Sequence, residues 1–330
     1  MDPPTLSPFT DFSYLFLSIL LEGAPFILLG TVISGFIDAY LPPGLIDRWL
    51  PKNKPLAVVL SGLLGAVFPV CECAVVPVIR RLIRKGLPVS CAITYMLSAP
   101  IINPITVLST MKAFSSSVGQ FSLRQNEVAE AYGPLFMTSS RLLIAFIVTV
   151  GVGLVVLKVR TGLVLKPGIA PLRRRSDGAD TRADDDDDDI HDHTSGLSKA
   201  GRLVLAMRTA MRDFIETAMY FTIGVAITAV FKAYVTEDLI LLFNQNEVGG
   251  VALMMLLAFV LSLCSTSDAF IAANFPVPQS AKLAFLVFGP MMDVKLVFMY
   301  LSVFRSRFVT ILAVALFVVI GVLSYLWIRL

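Results

Sequence analysis

An all-α integral membrane protein is the fold class this sequence predicts, with about eight transmembrane helices arranged as two four-helix repeats and helices broken near the bilayer midplane. Three observations lead there. Of 330 residues, 56% are hydrophobic and only 15% are charged, whereas soluble domains carry about a quarter charged residues. The apolar residues gather into long runs, and a helix crosses a bilayer with about 20 of them at 1.5 Å each. The second half of the chain also echoes the first.

The first run, Phe12–Leu41, ends at Pro42, Pro43 and Gly44, and Pro25 allows it to bend. Asp2 and Asp11 precede it where a secretory leader would carry basic residues, so it reads as a permanent first helix. The second run, Pro55–Ile79, leads into Arg80, Arg81, Arg84 and Lys85, and the third is Leu87–Met111. The stretch from Lys112 to Gly133 is rich in Ser, Gln, Asn and Glu and reads as an extramembrane connection with room for a short surface helix. Runs four to eight are Pro134–Leu157, Ala206–Val235, Val248–Phe275, Ala281–Phe304 and Phe308–Ile328.

Between the halves the composition changes. Arg173, Arg174 and Arg175 precede an acidic run from Asp184 to Asp189, with His191 and His193 after it. A segment this polar buries no core and reads as a disordered linker, although an Asp- and His-rich tract can also bind metal loosely. The organisation is therefore a first repeat over 1–157, a linker over 158–200 and a second repeat over 201–330. Lys and Arg concentrate around the Arg80–Lys85 turn and on both sides of the linker, which makes that side cytoplasmic. An eight-span chain then places both termini there too, in a cell inner membrane, and leaves Lys52, Lys54, Arg305 and Arg307 outside.

The net charge of +3 is not gathered into one basic face, so nucleic-acid binding is disfavoured. Cys71, Cys73, Cys91 and Cys264 lie inside apolar runs and are expected to be reduced. Both His residues fall in the linker, and neither a Ser/His/Asp arrangement nor a phosphate-binding Gly loop is present, so no enzyme activity and no cofactor is expected.

An offset of 194 pairs Glu22 with Glu216, Gly30 with Gly224 and Tyr40 with Tyr234; an offset of 190 pairs Pro100 with Pro290 and sets Asn103 against Asp293. Such repeats are characteristic of transporters, whose sites lie where broken helices of the two halves meet. Four spans per half make the copies parallel. Re-entrant second and sixth segments would make them inverted.

Four motifs sit well inside the apolar runs: PVCECAVVP at Pro69–Pro77, SAPIINP at Ser98–Pro104, CSTSDAF at Cys264–Phe270 and FGPMMD at Phe288–Asp293. Proline removes a backbone donor and opens the helix one turn back, so these are either packing kinks or sites where freed carbonyls and half-helix N-termini meet a ligand. On the second reading the substrate-binding candidates are Cys71, Glu72, Cys73, Pro100, Asn103, Pro104, Cys264, Ser265, Asp268, Pro290 and Asp293. Intramembrane acids cost several kcal/mol unless they face a wet or paired interior. Glu22, Glu216 and Asp293 are thus candidates for proton or ion coupling, with Lys295 or Arg141 as partner for Asp293. Asp38 and Glu237, near run ends, read as solvated interfacial groups.

Cys71 and Cys73 would point about 200° apart on an unbroken helix. If Pro69 and Pro77 unwind the segment, the two thiols can share a soft metal or metalloid. Otherwise they are small buried hydrophobes, as Cys91 is expected to be.

CECAVVPVIRRLIRKG followed by SAPIINP, and CSTSDAF followed by AFLVFGPMMDVK, resemble the predicted permease family that includes YraQ-like proteins and ArsP-type organoarsenical efflux permeases. The resemblance covers about Phe12–Met111 and Met207–Phe304. It implies an eight-span inner-membrane permease, some of whose relatives export trivalent organoarsenicals, with Cys71 and Cys73 as metalloid contacts. Relatives often have Ser between those two Cys, where this chain has Glu72. The expected function is a secondary exporter of a small thiophilic solute, coupled to protons or ions. The alternative is a non-transporting scaffold or a subunit of a redox or metal-handling assembly. The expected partners are that solute and the lipid bilayer, and the sequence leaves a homo-oligomer open.

Overall fold

The computed structural model describes residues 8–41, 50–68, 70–121, 133–166, 199–234, 247–275 and 277–329. Among them the only regular elements are helices: α1 Pro8–Tyr40, α2 Lys54–Val67, α3 Glu72–Arg84, α4 Val89–Ser98, α5 Pro104–Phe121, α6 Pro134–Val156, α7 Thr161–Val164, α8 Lys199–Tyr234, α9 Glu247–Leu261, α10 Ser267–Asn274, α11 Gln279–Phe288, α12 Val294–Val303 and α13 Ser306–Arg329. The protein is an all-α integral membrane protein.

Within α1, α6, α8 and α13 lie apolar stretches of 29, 23, 31 and 23 residues, each long enough to cross a bilayer. They match the first, fourth, fifth and eighth runs. Each of the other four runs is interrupted, between α2 and α3, at 99–103, at 262–266 and at 289–293, and each break overlaps one of the four motifs singled out in the sequence. α5 continues to Phe121, so part of the expected extramembrane connection is helical; the remainder, like most of the linker and Glu237, lies outside the described residues.

Packing order fixes the direction of each helix. Gly62 of α2 lies against Thr94 of α4, and Gly65 lies against Ala99, just past its end. Val58 clusters with Cys91. Positions rise together along both helices, so α2 and α4 run the same way and α3, which joins them, runs back. α2 has 14 residues and α3 has 13, about 20 Å each at 1.5 Å per residue, short of a ~30 Å hydrocarbon core. α2 and α3 are thus a short antiparallel pair, with Pro77 inside the helix of α3.

α1 runs parallel to α3, with Gly30 against Ala74 and the Ser34 hydroxyl 3.3 Å from the Pro77 carbonyl. It runs antiparallel to α8, with Gly23 against Phe221, Ser34 on Asp213 and Gly35 against Ala206. A Cβ on Gly30 would stand 2.6 Å from the Ala74 carbonyl oxygen, and one on Gly224 would stand 2.7 Å from the Lys295 Cα. These two glycines, aligned in the sequence, let α1 close on α3 and α8 close on α12.

This directionality bears on the ends of the described chain. The C-terminal end of α6 adjoins the starts of α2 and α4, and Leu165 pairs with Phe304 just before α13. Lys166 and Lys199, where the chain leaves and re-enters the described structure, therefore sit at that end. The N-terminal half of α1 points to the other end, and so does the C-terminal half of α13, where Trp327 donates to the Ser140 hydroxyl. The described ends of α1 and α13 thus lie opposite Lys166 and Lys199, because the α2–α3 pair turns back.

The core sits on α4 and α11, which are buried on every side. Every residue of Val89–Ser98 is buried, and so is every residue of Ser280–Phe288. At the linker end an ionic cluster ties α1, α3 and α8. Arg81 donates Nε to Asp213 Oδ2 at 3.0 Å and Nη2 to Oδ1 at 2.8 Å, and Ser34 donates to the same carboxylate at 2.9 Å. Asp38, expected to be solvated, is buried 3.6 Å from both Arg81 and Lys85. Breaking a buried pair leaves an uncompensated charge. Asp213→Ala should lower stability by about 3 kcal/mol, read as a fall in the detergent unfolding midpoint, whereas exposed Arg208→Ala should leave the midpoint within experimental scatter.

Candidate functional site

Three of the helix interruptions, those before α3, after α9 and before α12, meet around Lys295. Cys71 is the extended N-cap residue of α3, with Glu72 and Cys73 in the first turn. Asp293 caps α12, its Oδ1 accepting from the Leu296 backbone N–H at 2.7 Å. Asn103 does the same for α5, accepting from Ile105 N–H at 3.0 Å. Asn103 and Asp293, aligned in the two halves, are thus both helix starters after a break.

The carbonyls freed by the breaks are used. Thr106 donates to the Pro100 carbonyl at 2.9 Å, and Tyr300 donates to that of Met291 at 3.0 Å. Arg141, entirely buried, donates to the Ser265 carbonyl at 3.2 Å and to the Thr110 hydroxyl at 2.7 Å, while Ser109 takes the Thr266 carbonyl at 3.0 Å. Backbone groups at this depth have no bulk water to turn to, so side chains from neighbouring helices satisfy them.

At the centre is Lys295. Its ammonium donates to the Ser262 and Leu263 carbonyls at 2.9 and 3.3 Å, and it lies 3.5 Å from both Glu72 Oε1 and Asp293 Oδ2. Ser262 holds a left-handed φ of 48°, an uncommon conformation for a residue with a Cβ, and it turns this stretch of backbone at the end of α9. Glu72 Oε2 and Asp268 Oδ2 are buried without a hydrogen-bond partner. Three buried carboxylates (Glu72, Asp268 and Asp293) thus share the interior with two cations (Lys295 and Arg141).

A small cavity of about 40 Å³ opens beside Lys295, lined by Cys71, Glu72, Cys73, Ser262, Cys264 and Glu22, with Phe221 and Phe26 among its apolar walls. The three thiols face one space because the chain is extended at Cys71, which removes the angular separation a continuous helix would impose. All four cysteines are free. Among the described residues no three His, Cys, Asp or Glu side chains form a group able to hold a metal ion. Cys71 and Cys73 as a metal pair therefore gain no third ligand from that set, and what remains is a thiol-lined pocket.

Several expected site residues fall elsewhere. Glu216 pairs with Arg80 at 2.5 Å and does not line the cavity. Glu22 is exposed and stands at the cavity's mouth, so the two aligned glutamates occupy different surroundings. Pro104 is exposed at the start of α5, and Pro100, Asn103, Ser265, Asp268 and Pro290 lie outside the cavity lining. Of the two partners considered for Asp293, the structure selects Lys295. Sequence reasoning gave Lys295 only that role, although a lysine deep inside an apolar run was itself the signal. Cys91 packs with Ala57 and Val58, as expected.

Comparison with known proteins places this architecture. A model of predicted permeases, the ArsP family, matches residues 9–125 and 127–328. The chain belongs to that family of predicted permeases. It is 36% identical over 316 residues to the protein YcgR of Bacillus subtilis, covering 95% of this chain and 96% of that one. It is 33% identical over 300 residues to a "Putative two-component membrane permease complex subunit" of Streptococcus mutans, covering 89% and 87%. A protein of Methanocaldococcus jannaschii, MJ0584, is 28% identical over 93 residues, 28% of this chain and 26% of its own. No solved structure matches the chain at significance. The family and the long apolar helices make this permease-family chain a multi-pass membrane protein.

The accessible thiols of this permease should be those on the cavity. A small membrane-permeant methanethiosulfonate reagent is expected to modify Cys71 and Cys264, both half-buried, before Cys91, which is enclosed by packing. Peptide mass spectrometry over a time course checks the order.

Proposed function

We propose that the protein is a secondary exporter of a small thiophilic solute, such as a trivalent organoarsenical, with the cavity between the broken helices as its binding site. The observation that carries this reading is the convergence of Cys71, Cys73 and Cys264 with Glu72 and Lys295 on one space inside a membrane-spanning chain. Thiolates select soft ligands, and trivalent arsenicals are soft electrophiles. Protons or ions moving through Glu72, Asp293 and the rim residue Glu22 supply the drive. A fold that buries carboxylate oxygens without hydrogen-bond partners in its interior suits a solute pathway better than a scaffold or an enzyme.

The cavity holds a few waters or a bare ion, not an organoarsenical, so this arrangement is a closed state and loading requires α1 and α8 to part near Gly23 and Phe221. In the orientation we infer, the linker end is cytoplasmic. Lys52, Lys54, Arg80–Lys85, Lys158, Arg160, Arg202, Arg305 and Arg307 all lie toward it, including the four that an eight-crossing topology would leave outside. Both termini are then extracytoplasmic, and the halves are inverted copies, 1–157 and 201–330, each with three crossings and one re-entrant pair. The antiparallel run of α1 against α8 supports inversion, because parallel copies would place these equivalent helices side by side in the same sense.

The Streptococcus mutans relative's printed name supports a second component, and a partner membrane subunit is compatible with the exposed apolar faces of α1 and α8.

Proteoliposome flux over a panel of solutes, with and without a pH gradient, tests the transport reading. Cys71→Ser/Cys73→Ser should cut flux of the arsenical roughly tenfold or more through loss of soft-ligand contacts. Parental rates for every solute would refute the site. Reporter fusions test the orientation: alkaline phosphatase should be active when fused after Leu330 and inactive when inserted in the linker near Gly178.

A further inference from the structure

The surroundings of Lys295 have the composition of an ion site. Four oxygens face its ammonium: the Ser262 and Leu263 carbonyls, and carboxylates from Glu72 and Asp293. The carbonyls come from backbone unwound after α9, the source from which transporters of broken-helix design draw ligands for sodium ions and protons. Glu72 is 1% exposed, and its second oxygen has no hydrogen-bond partner, so the cradle carries more acceptor capacity than one ammonium takes up. Asp293 is held in place by its other oxygen through the Leu296 N–H. Gly224 allows α8 to pass against the Lys295 backbone, which fixes where the side chain starts.

We propose that Glu72, Asp293 and the carbonyls of Ser262 and Leu263 form a monovalent-cation site that the Lys295 ammonium fills in this state as a tethered occupant. Only one positive charge fits among these oxygens. Entry of a free alkali-metal ion requires the ammonium to leave or lose its proton, and return of the ammonium expels the ion. The three thiols and the carboxylate of Glu72 line the same small cavity, so exchange of the two cations would alter the charge beside any solute held there. The use of the exchange in a transport cycle rests on the exporter reading; the existence of the cation site does not.

The test is therefore a binding measurement without flux. Purified Lys295→Met protein is unfolded thermally in detergent in NaCl, KCl or LiCl against choline chloride at equal ionic strength, beside the parent and the double variant Glu72→Gln/Lys295→Met. The single variant should show a saturable rise in midpoint with at least one alkali cation, absent in choline. The parent should be insensitive, its site being filled, and the double variant should lose the effect. If Lys295→Met cannot be recovered in choline, its recovery in an alkali chloride or in methylammonium chloride gives the same answer. Equal behaviour of the single variant in all salts, whether folded or lost, overturns the proposal. A cation effect without any transported solute would leave the site standing and refute the exporter.

Discussion

A positive charge held among oxygens at bilayer depth organises this molecule. Lys295 draws together the start of α12, the unwound end of α9 and the first turn of α3, through two carbonyls and two carboxylates. Each of these groups alone would be expensive to bury. Together they offset most of the cost, and the coupling explains why three chain breaks distant in sequence meet at one place. Oxygens of Glu72, Asp268 and Asp293 in this interior have no hydrogen-bond partner among the described residues.

Close helix approach is the second requirement. The cavity exists where α1 passes α3 and α8 passes α12, and both passages occur at glycines. The approach of α1 to α3 at Gly30 sets Cys71, Glu72 and Cys73 near Gly23 and Phe221; the approach of α8 to α12 at Gly224 sets Lys295 opposite them. The ionic cluster of Arg81, Asp213, Asp38 and Lys85 then closes the linker end, while the charged interior lies farther up the same interface. The ionic cluster and the cavity thus lie at successive levels along α1, α3 and α8.

Much of this was legible in the sequence. Four long crossings came from uninterrupted apolar length, and the four breaks fell at the proline- and acid-containing motifs, since local backbone chemistry decides both. What a linear reading missed was direction. A run such as Pro55–Ile79 has the length of a crossing, and nothing local distinguishes a crossing from a segment that turns back at Phe68–Cys71. That one ambiguity decides at which end of the bundle the described ends of α1 and α13 lie. The aligned pair Glu22 and Glu216 misled for a related reason: equal positions in the chain acquired unequal neighbours, an open rim for one and Arg80 for the other. Lys295 went under-read because its role depends on carbonyls supplied from 32 and 33 residues away.

The central claim is that the broken-helix interior is a solute site whose thiols make the contact. Anomalous X-ray scattering at the arsenic edge, from crystals of the protein grown with a trivalent phenylarsenical, addresses it most directly. The account predicts an arsenic peak bonded to the sulfur of Cys71 or Cys73, on the side facing Cys264. A peak at Cys91 alone, or an ordered ligand elsewhere with the cavity unchanged, would contradict it.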